Sequence, residues 1–498
     1  MESPPPELIV GDDRISALPD HLLLDVLERL DLREAVRAGA LSTRWRRLPN
    51  HLSRVHLDVG QFQGATPLEA MDAFVGAARA LLAVVSPAEG MCERGALKVL
   101  ALEFYISSAH LSSIGRLVED VVSSGLTECL EFCLSPAPSS CAILLLAGIG
   151  QQFMSFSRAY PVAFSWLTRL TLRRHAFGNS DVTDLINACA RLRHLTLNCC
   201  MRVDRHSALK IDVPSSGIQE LEFSSVACTR IELISVPKLR QVGCEGWLFN
   251  PPVCFGYVPE LRVVKLYSKA KAWQRVPFAL SECLSRSATN LSKLHLDFLH
   301  QMVKLISAHH LKYLLHPHTI CSSLPISAVY ACFLLQIWIQ PEHPKQLTAI
   351  FRNLTSVFLL GIFSECDLNW TLFFLEAAPA LQNIALSRHS CIKTPQHSAE
   401  KTNVVWEPSK DLKHLNLKVL LIDGCEDEDK VTNYTRLVME RAVGLKRIIL
   451  RGQLPCEDCN AIDPESSLRR SQVDEASRHR IKERLTCGSS SSVDIIIC

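Results

Sequence analysis

The chain has 498 residues, of which 48% are hydrophobic and 21% charged, a composition typical of globular proteins with ample material for a core. Its 53 basic and 51 acidic residues nearly balance, which argues against the strongly basic domain typical of nucleic-acid binding. The N-terminal stretch MESPPPELIVGDDR lacks the pattern of a secretory signal, and 20 cysteines are too few for a disulfide scaffold. We therefore expect reduced thiols in the cytoplasm or nucleus.

The first predicted element is an amphipathic helix in LPDHLLLDVLERL, residues 18–30, with an unusually wide apolar band. Leu22, Val26 and Leu30 recur at intervals of four residues, and Leu23 and Leu27 form a second row beside them. The proline at the start of this stretch suits the first turn of a helix, where a missing N–H costs nothing. The helix is therefore predicted to expose more leucine than solubility requires.

Two further short helices are predicted after it. DLREAVRAGA suggests a helix with Asp31 as its N-cap and with Leu32 and Val36 facing inward, and Ser42 is placed to cap a turn carrying Trp45. Three short helices bury little surface by themselves. Part of their apolar surface is thus expected to pack on the rest of the chain or on another protein.

Residues 13–48, DRISALPDHLLLDVLERLDLREAVRAGALSTRWRRL, resemble an F-box. They contain, in order, the family's Leu-Pro pair, its leucine-rich helix and a Ser-x-x-Trp-Arg ending. The resemblance implies a small three-helix domain over residues 12–52 that docks on the Skp adaptor, which in turn joins a cullin and a RING subunit. By the same resemblance, the residues contacting the adaptor are Leu18, Pro19, Leu22, Leu23, Val26, Leu27, Leu30, Leu32, Val36, Leu41 and Trp45.

An L-x-x-L-x-L pattern recurs twelve times after residue 90, from LKVLALEF at 97 to LKRIILRG at 445. From residue 167 onward, the starts of consecutive segments lie 21 to 33 residues apart, with one exception. This is the period of leucine-rich repeats, in which each strand and helix is covered by its neighbours. We therefore predict a solenoid of parallel strands plus helices over residues 90–376, in preference to an ordinary α/β domain.

The exception is the 63-residue interval between the segments at 291 and 354. Removing residues 303–336 restores the period. The segment begins with Val and ends with Gln, whose codons are compatible with intron boundaries. The Cys-Phe-Leu-Leu before its end can be encoded by a pyrimidine tract. We interpret it as a retained intron or a gene-model error. Two alternatives are a membrane span in the uncharged stretch 320–340 and a metal site formed by the nearby histidines, which are His300, His309, His310, His316 and His318.

The C-terminal residues 377–498 resemble the FBD domain that follows F-box and repeat segments in many plant proteins. The matching pieces are Trp406-Glu407-Pro408, LVMERAVGLKRIIL, PCEDC and RIKERLTCGSSSSVDIII. The resemblance implies a C-terminal α+β region and a plant source, but no target. The fold class is thus predicted as α/β, with an F-box, a repeat solenoid and this C-terminal region in succession.

No catalytic motif is found in the sequence. Cys456 and Cys459 form a lone pair without the two further ligands of a structural zinc site, and no Ser-His-Asp, HExxH or Walker-type pattern occurs. We therefore predict neither metal nor cofactor, and expect no membrane or nucleic-acid partner. The resemblance implies a non-catalytic receptor subunit of a ubiquitin ligase that binds a target protein. A small-molecule-sensing receptor, a scaffold outside any ligase and a decayed gene product remain alternatives.

Overall fold

The computed structural model describes Ile15 and residues 18–62, 64, 66–83, 97–125, 127–138, 143–204, 206–247, 249–267, 277–284, 287–298, 339–364, 366–389, 406–452, 473–487 and 493–498. The chain forms two compact units. The first contains Met1–Cys141, Gly148–Arg173 and Ala188–Leu192, and the second contains Ala142–Ala147, Arg174–Asn187 and Arg193–Cys498. The segment 303–336 and the lone cysteine pair at 456 and 459 lie outside the described residues.

The first unit begins with short helices and continues into parallel strands. Its helices are α1 (Asp20–Leu27), α2 (Leu32–Arg37), α3 (Thr43–Arg47), α4 (Pro67–Ala83), α5 (Ser108–Ser123), the greater part of α6 (Ile143–Ala159), and α7 (Pro161–Trp166), with 3-10 turns at Ala38–Ala40, Leu48–His51 and Val59–Gln61. Its strands are β1 (Arg54–Asp58), β2 (Leu97–Ile106), β3 (Thr127–Pro136) and β4 (Leu167–Arg173). These four strands pair in chain order, and every pair is parallel.

The second unit contains a ten-stranded parallel sheet with further strands and helices between its members. The sheet strands, in spatial and chain order, are β6 (His194–Asn198), β9 (Glu220–Ser224), β11 (Gln241–Glu245), β13 (Val263–Tyr267), β15 (Lys293–Asp297), β17 (Ser356–Phe363), β18 (Asn383–His389), β19 (Val419–Asp423), β20 (Arg447–Arg451) and β21 (Asp494–Ile497). The helices are α8 (Asp181–Ala188), α9 (Leu280–Cys283), α10 (Pro344–Phe351), α11 (Phe373–Ala377), α12 (Asp429–Arg441) and α13 (Glu475–Thr486), with a 3-10 turn at Asn369–Leu372.

The L-x-x-L-x-L pattern places one strand in each segment. In LSKLHLDF, the three leucines Leu291, Leu294 and Leu296 are fully buried, whereas Lys293 is exposed. Alternation with period two sends successive side chains to opposite faces, so each strand buries one row and leaves the other on the open face of the sheet. The predicted fold class, helices followed by parallel-strand repeats, is confirmed.

Several repeats contain a second strand that the L-x-x-L-x-L pattern does not predict. Strands β8 (Leu209–Asp212), β10 (Ile231–Ser235) and β12 (Val253–Tyr257) form a separate three-stranded parallel sheet. Two-stranded pairs join β5 (Ala176–Phe177) to β7 (Met201–Arg202) and β14 (Phe278–Ala279) to β16 (Ile339–Gln340). These pairs and sheets are also parallel, as stacked repeats require.

Strands on either side of the suspect segment 303–336 are direct neighbours in the sheet. Lys293 to Asp297 of β15 align one for one with Ser356 to Leu360 of β17, and the Phe298 amide donates to the Leu360 carbonyl oxygen at 2.8 Å. The β14–β16 pair likewise joins the repeat before the segment to the repeat after it. The repeat stack therefore continues across this point without a missing strand.

Candidate functional site

The helices of residues 18–52 enclose a small core of their own. It consists of Leu23, Leu27, Ala35, Trp45, Leu48 and Leu52, with Leu18, Leu24, Leu32 and Ala38 packed partly buried against it. Leu23 and Leu27 are fully inaccessible to solvent, and Trp45 is 3% exposed. In this structure these three side chains hold the helices together and do not lie on the surface. Their role in adaptor docking stays a prediction. Because they are buried, that role would be to shape the docking domain and not to touch the adaptor.

Side-chain caps fix where these short helices begin, as the sequence predicted. Asp31 accepts a hydrogen bond from the Glu34 amide at 2.8 Å, and the Ser42 hydroxyl accepts one from the Trp45 amide at 3.3 Å. Each cap satisfies an amide that the helix itself leaves without a partner. The cap at Ser42 also sets the position from which Trp45 enters the core.

The row formed by Leu22, Val26 and Leu30 faces solvent. Leu22, Val26 and Leu30 are 40%, 43% and 44% exposed, although Leu22 and Val26 lie next to the fully buried Leu23 and Leu27. Residues four apart on a helix lie on one face, so Leu22 and Val26 share a face of α1, and Leu30 follows in the turn after the helix ends. We call these three residues the apolar row. The broad apolar band predicted for this helix is thus divided into one interior row and one surface row.

The remaining predicted contacts divide in the same way. Pro19 and Leu41 are exposed, and Val36 is 53% exposed, so the prediction that Val36 faces inward is wrong. Ala35 fills the interior position of α2 instead, because its small side chain lets this six-residue helix approach the core closely. The exposed predicted residues are therefore the apolar row together with Pro19, Val36 and Leu41.

Arg44 and Glu28 hold α1 in place, and the sequence analysis did not identify either. Arg44 donates to the Asp20 carboxylate at 2.7 Å and to the Leu18 carbonyl oxygen at 2.6 Å, at the start of α1. Beyond the end of α1, the Glu28 carboxylate accepts from the Ser53 hydroxyl at 2.6 Å, and this bond lowers the pKa of Glu28. Both contacts span more than twenty residues, so local sequence patterns do not reveal them.

The open face of the second unit's sheet presents a ladder of side chains, one per strand and all in register. From β6 to β21 the ladder consists of Thr196, Glu222, Gly243, Lys265, His295, Phe358, Ala385, Leu421, Ile449 and Ile496. The members up to His295 are polar or glycine, and those from Phe358 onward, which we call the apolar ladder, are apolar. Five strands spaced about 4.8 Å apart give this apolar part a length of roughly 19 Å.

His295 lies at the boundary between the two parts of the open face. Its ring stacks on Phe358 with a centroid separation of 4.2 Å. Burial, followed by the nearby charges of Lys265 and Lys293, lowers the pKa of His295 to about 4. The imidazole is therefore neutral at physiological pH and extends the apolar part by one position.

In the part of the chain that the structure describes, no group of three or more His, Cys, Asp and Glu side chains is arranged to hold a metal ion. None of the helices described is both long and apolar enough to cross a bilayer. The histidines proposed as alternative metal ligands lie outside the described residues.

Comparisons with known proteins agree with these observations. The model of the F-box domain matches residues 15–56. An F-box/FBD/LRR-repeat protein of Arabidopsis thaliana is 23% identical over 477 residues, covering 92% of each chain. An FBD-associated F-box protein of the same plant is 27% identical over 197 residues, 38% of this chain and 40% of that one. A meiotic F-box protein of Oryza sativa subsp. japonica is 49% identical over 51 residues, 10% of this chain and 11% of that one. The resemblance predicted from the sequence is confirmed.

Proposed function

We propose, on the premise that the chain contains an F-box domain and has F-box/FBD/LRR-repeat homologues in plants, that it is the target-binding receptor of a Skp-cullin-F-box ubiquitin ligase. The apolar row of α1 is the observation that carries the proposal. A helical domain that already has its own core gains nothing from three more exposed apolar side chains. Large exposed apolar patches on soluble proteins usually mark surfaces for partners.

The size of the effect is consistent with docking. Complete burial of a Leu or Val side chain contributes about 1.5–3 kcal/mol, and each residue of the apolar row has roughly two fifths of its surface still to bury. Leu41, Val36 and Pro19 add to that area. Several such side chains are needed, because association costs about 4–15 kcal/mol in lost freedom.

In this proposal the chain contributes binding and no catalytic group. The F-box docks on the Skp adaptor, and the repeats hold a target so that one of its lysines stays near a ubiquitin-conjugating enzyme supplied by other subunits. Transfer is then accelerated by effective concentration and orientation. The apolar ladder supports an assignment of the target-binding surface to the C-terminal strands, since it is the longest apolar stripe on the open face of the described sheet.

The adaptor-docking step is tested with the purified full-length chain and a purified Skp adaptor. We expect the triple substitution of Leu22, Val26 and Leu30 by Asp to weaken binding by at least about 100-fold, because three charges would have to be buried in the interface. Circular dichroism checks that the variant is folded. A matched control substitutes Asp for the exposed residues Ile234, Leu415 and Val443, and it should bind as the wild type does. Equal affinities for the two triple variants, or no binding by the wild type, would contradict the proposal.

The target surface requires a separate variant. Substituting Asp for Leu421 and Ile449 places charges in the middle of the apolar ladder while leaving the F-box untouched. We expect this variant to bind the adaptor normally. Proteins that are ubiquitinated in plant cells containing the wild-type chain should no longer be ubiquitinated with the variant, as measured by ubiquitin-remnant mass spectrometry. Ubiquitination of the same proteins should also disappear with the apolar-row variant. Unchanged ubiquitination with the Leu421 and Ile449 variant would rule out this surface.

A further inference from the structure

The second unit contains a cavity of about 740 Å³ beside the three-stranded sheet. It lies at the ends of β7, β8 and β10, and the members of its lining that would contact a ligand are Arg202, Lys210, Arg230, Glu232, Phe249 and Pro251. Three of these residues are cationic and one is anionic. We call this site the basic cavity, and its volume is within the range of small-molecule sites.

Arg202 is the unusual member of the basic cavity because its guanidinium is buried. The residue is 3% exposed, and its described hydrogen-bond acceptors are all uncharged: the Ser207 hydroxyl at 3.0 Å, the Gly178 carbonyl oxygen and the Asn179 side-chain oxygen. These acceptors orient the guanidinium but supply no counter-charge. Removing a cation from water without an opposite charge is unfavourable, so an anion bound in the cavity would compensate for it.

The other two cations lie at the same cavity, Lys210 on β8 and Arg230 immediately before β10. Lys210 and Glu232 are aligned across β8 and β10, and the Glu232 carboxylate contacts Arg230 at 2.6 Å and Lys210 at 3.9 Å. One carboxylate thus serves two cations, which leaves the lining with a positive excess. The Lys210 and Arg230 side chains remain 64% and 52% exposed, so both are able to turn toward a ligand.

Phe249 and Pro251 give the basic cavity an apolar side. The combination of a buried guanidinium, two adjustable cations and an aromatic ring is suited to a molecule with a charged group on a flat apolar body. We propose that the basic cavity binds a small anionic molecule in which a carboxylate or phosphate group is attached to a planar ring. This inference does not depend on the F-box, and it gives the chain a ligand-dependent step in addition to adaptor docking.

The first experiment uses the purified full-length chain and two probes, benzoate and phenyl phosphate, with benzamide as the uncharged control. Binding is measured by saturation-transfer NMR and by the shift in melting temperature. We expect at least one anionic probe to bind with millimolar affinity, more weakly as salt is raised, and benzamide not to bind. Preference between the two anions identifies the acidic group of the ligand. No binding of either anion, or equal binding of benzamide, would overturn the proposal.

Variants locate the binding. Replacing Lys210 and Arg230 together by Gln should lower the affinity for the preferred probe at least tenfold, because two exposed cations are lost without disturbing the core. Arg202→Lys keeps the charge but removes the planar fork, so it should weaken the probe as well. Arg352→Gln removes an exposed arginine elsewhere in the same unit and should leave affinity unchanged. Full affinity in the Lys210 and Arg230 variant would place the probe elsewhere and overturn the proposal. That variant should still bind the Skp adaptor, which separates this proposal from the preceding one.

Discussion

The F-box and the repeat sheet use leucine for different purposes. In the repeats, the leucines of the L-x-x-L-x-L pattern are covered by the next repeat of the same chain, as Leu291, Leu294 and Leu296 show. In the F-box, neighbouring residues of one helix diverge, with Leu23 fully buried and Leu22 40% exposed. Leucines that the chain itself buries therefore stabilise the fold. Leucines that stay exposed beside a complete core are expected to bind a partner.

The comparison predicts its largest effect for a charge placed inside the sheet. Leu294→Asp puts a carboxylate into a fully buried position between β13 and β17, and we expect the free energy of unfolding of the second unit to fall by more than about 4 kcal/mol. Urea denaturation followed by circular dichroism measures the change. The control Lys293→Asp, next to it on the exposed row, should change stability by no more than about 0.5 kcal/mol. Similar losses for both would refute the assignment of the two rows.

Within the F-box, we expect a smaller but still large contrast between the two rows of α1. Leu27→Ala removes a buried side chain and should destabilise this domain by about 2–5 kcal/mol. Leu22→Ala, on the surface, should cost no more than about 0.5 kcal/mol. Protease resistance of the N-terminal helices in the full-length chain distinguishes them. If Leu22→Ala exposed this region to cleavage as much as Leu27→Ala, the apolar row would be part of the core.

Deletion of residues 303–336 should have a small, favourable effect. β15 and β17 already pair in register, and the deletion shortens their 58-residue connection to 24 residues. Halving a loop lowers the entropy cost of closing it by about 0.6 kcal/mol. Thermal unfolding of the two chains should therefore show an equal or slightly higher midpoint after deletion. Loss of cooperative unfolding in the shortened chain would show that the segment is required for the repeats to stack.

A further expected effect concerns pH. The pKa of His295 is about 4 in the folded chain and near 6.5 when unfolded, so between these values the unfolded chain binds more protons. His295 therefore contributes a loss of stability as pH falls from 6.5 to 4, and His295→Gln should flatten that part of the stability profile. Urea midpoints measured at pH 7, 5.5 and 4.5 test this. Parallel profiles for the two chains would show that the ring is not desolvated.

Sequence alone predicts the strands because their signal is local and repeated. All twelve segments contain a strand of a parallel sheet, and in most of them the L-x-x-L-x-L residues form its buried row within seven residues. In the segment at 412 the buried row is instead Leu417, Leu420 and Ile422, and Leu415 is 71% exposed. The second strands were missed, although Val213-Pro214, Val236-Pro237 and Val258-Pro259 mark their ends at a regular spacing. The three valines are buried. Each is followed by a proline, which lacks the N–H that a further strand residue would donate to a neighbouring strand.

The F-box shows what sequence does not decide. Period alone places Leu22 and Leu23 in adjacent rows of one apolar band, but the direction of the core is set by Trp45 and Leu48, about twenty residues further along the chain. The basic cavity is a similar case, because Arg202, Lys210 and Arg230 come together only through the stacking of separate repeats. Long-range packing, which no local pattern encodes, selects the functional residues in both.

The in-register pairing of β15 with β17 has a consequence for how such chains evolve. A parallel ladder depends on which strands lie side by side, and not on how much chain was used to bring them there. The length of the connection therefore has little effect on folding and is under little selection. Insertions at this point can be gained or lost between related genes while the sheet is inherited unchanged. Diversity in this family is then expected to concentrate in the connections, with the ladder as the constant part.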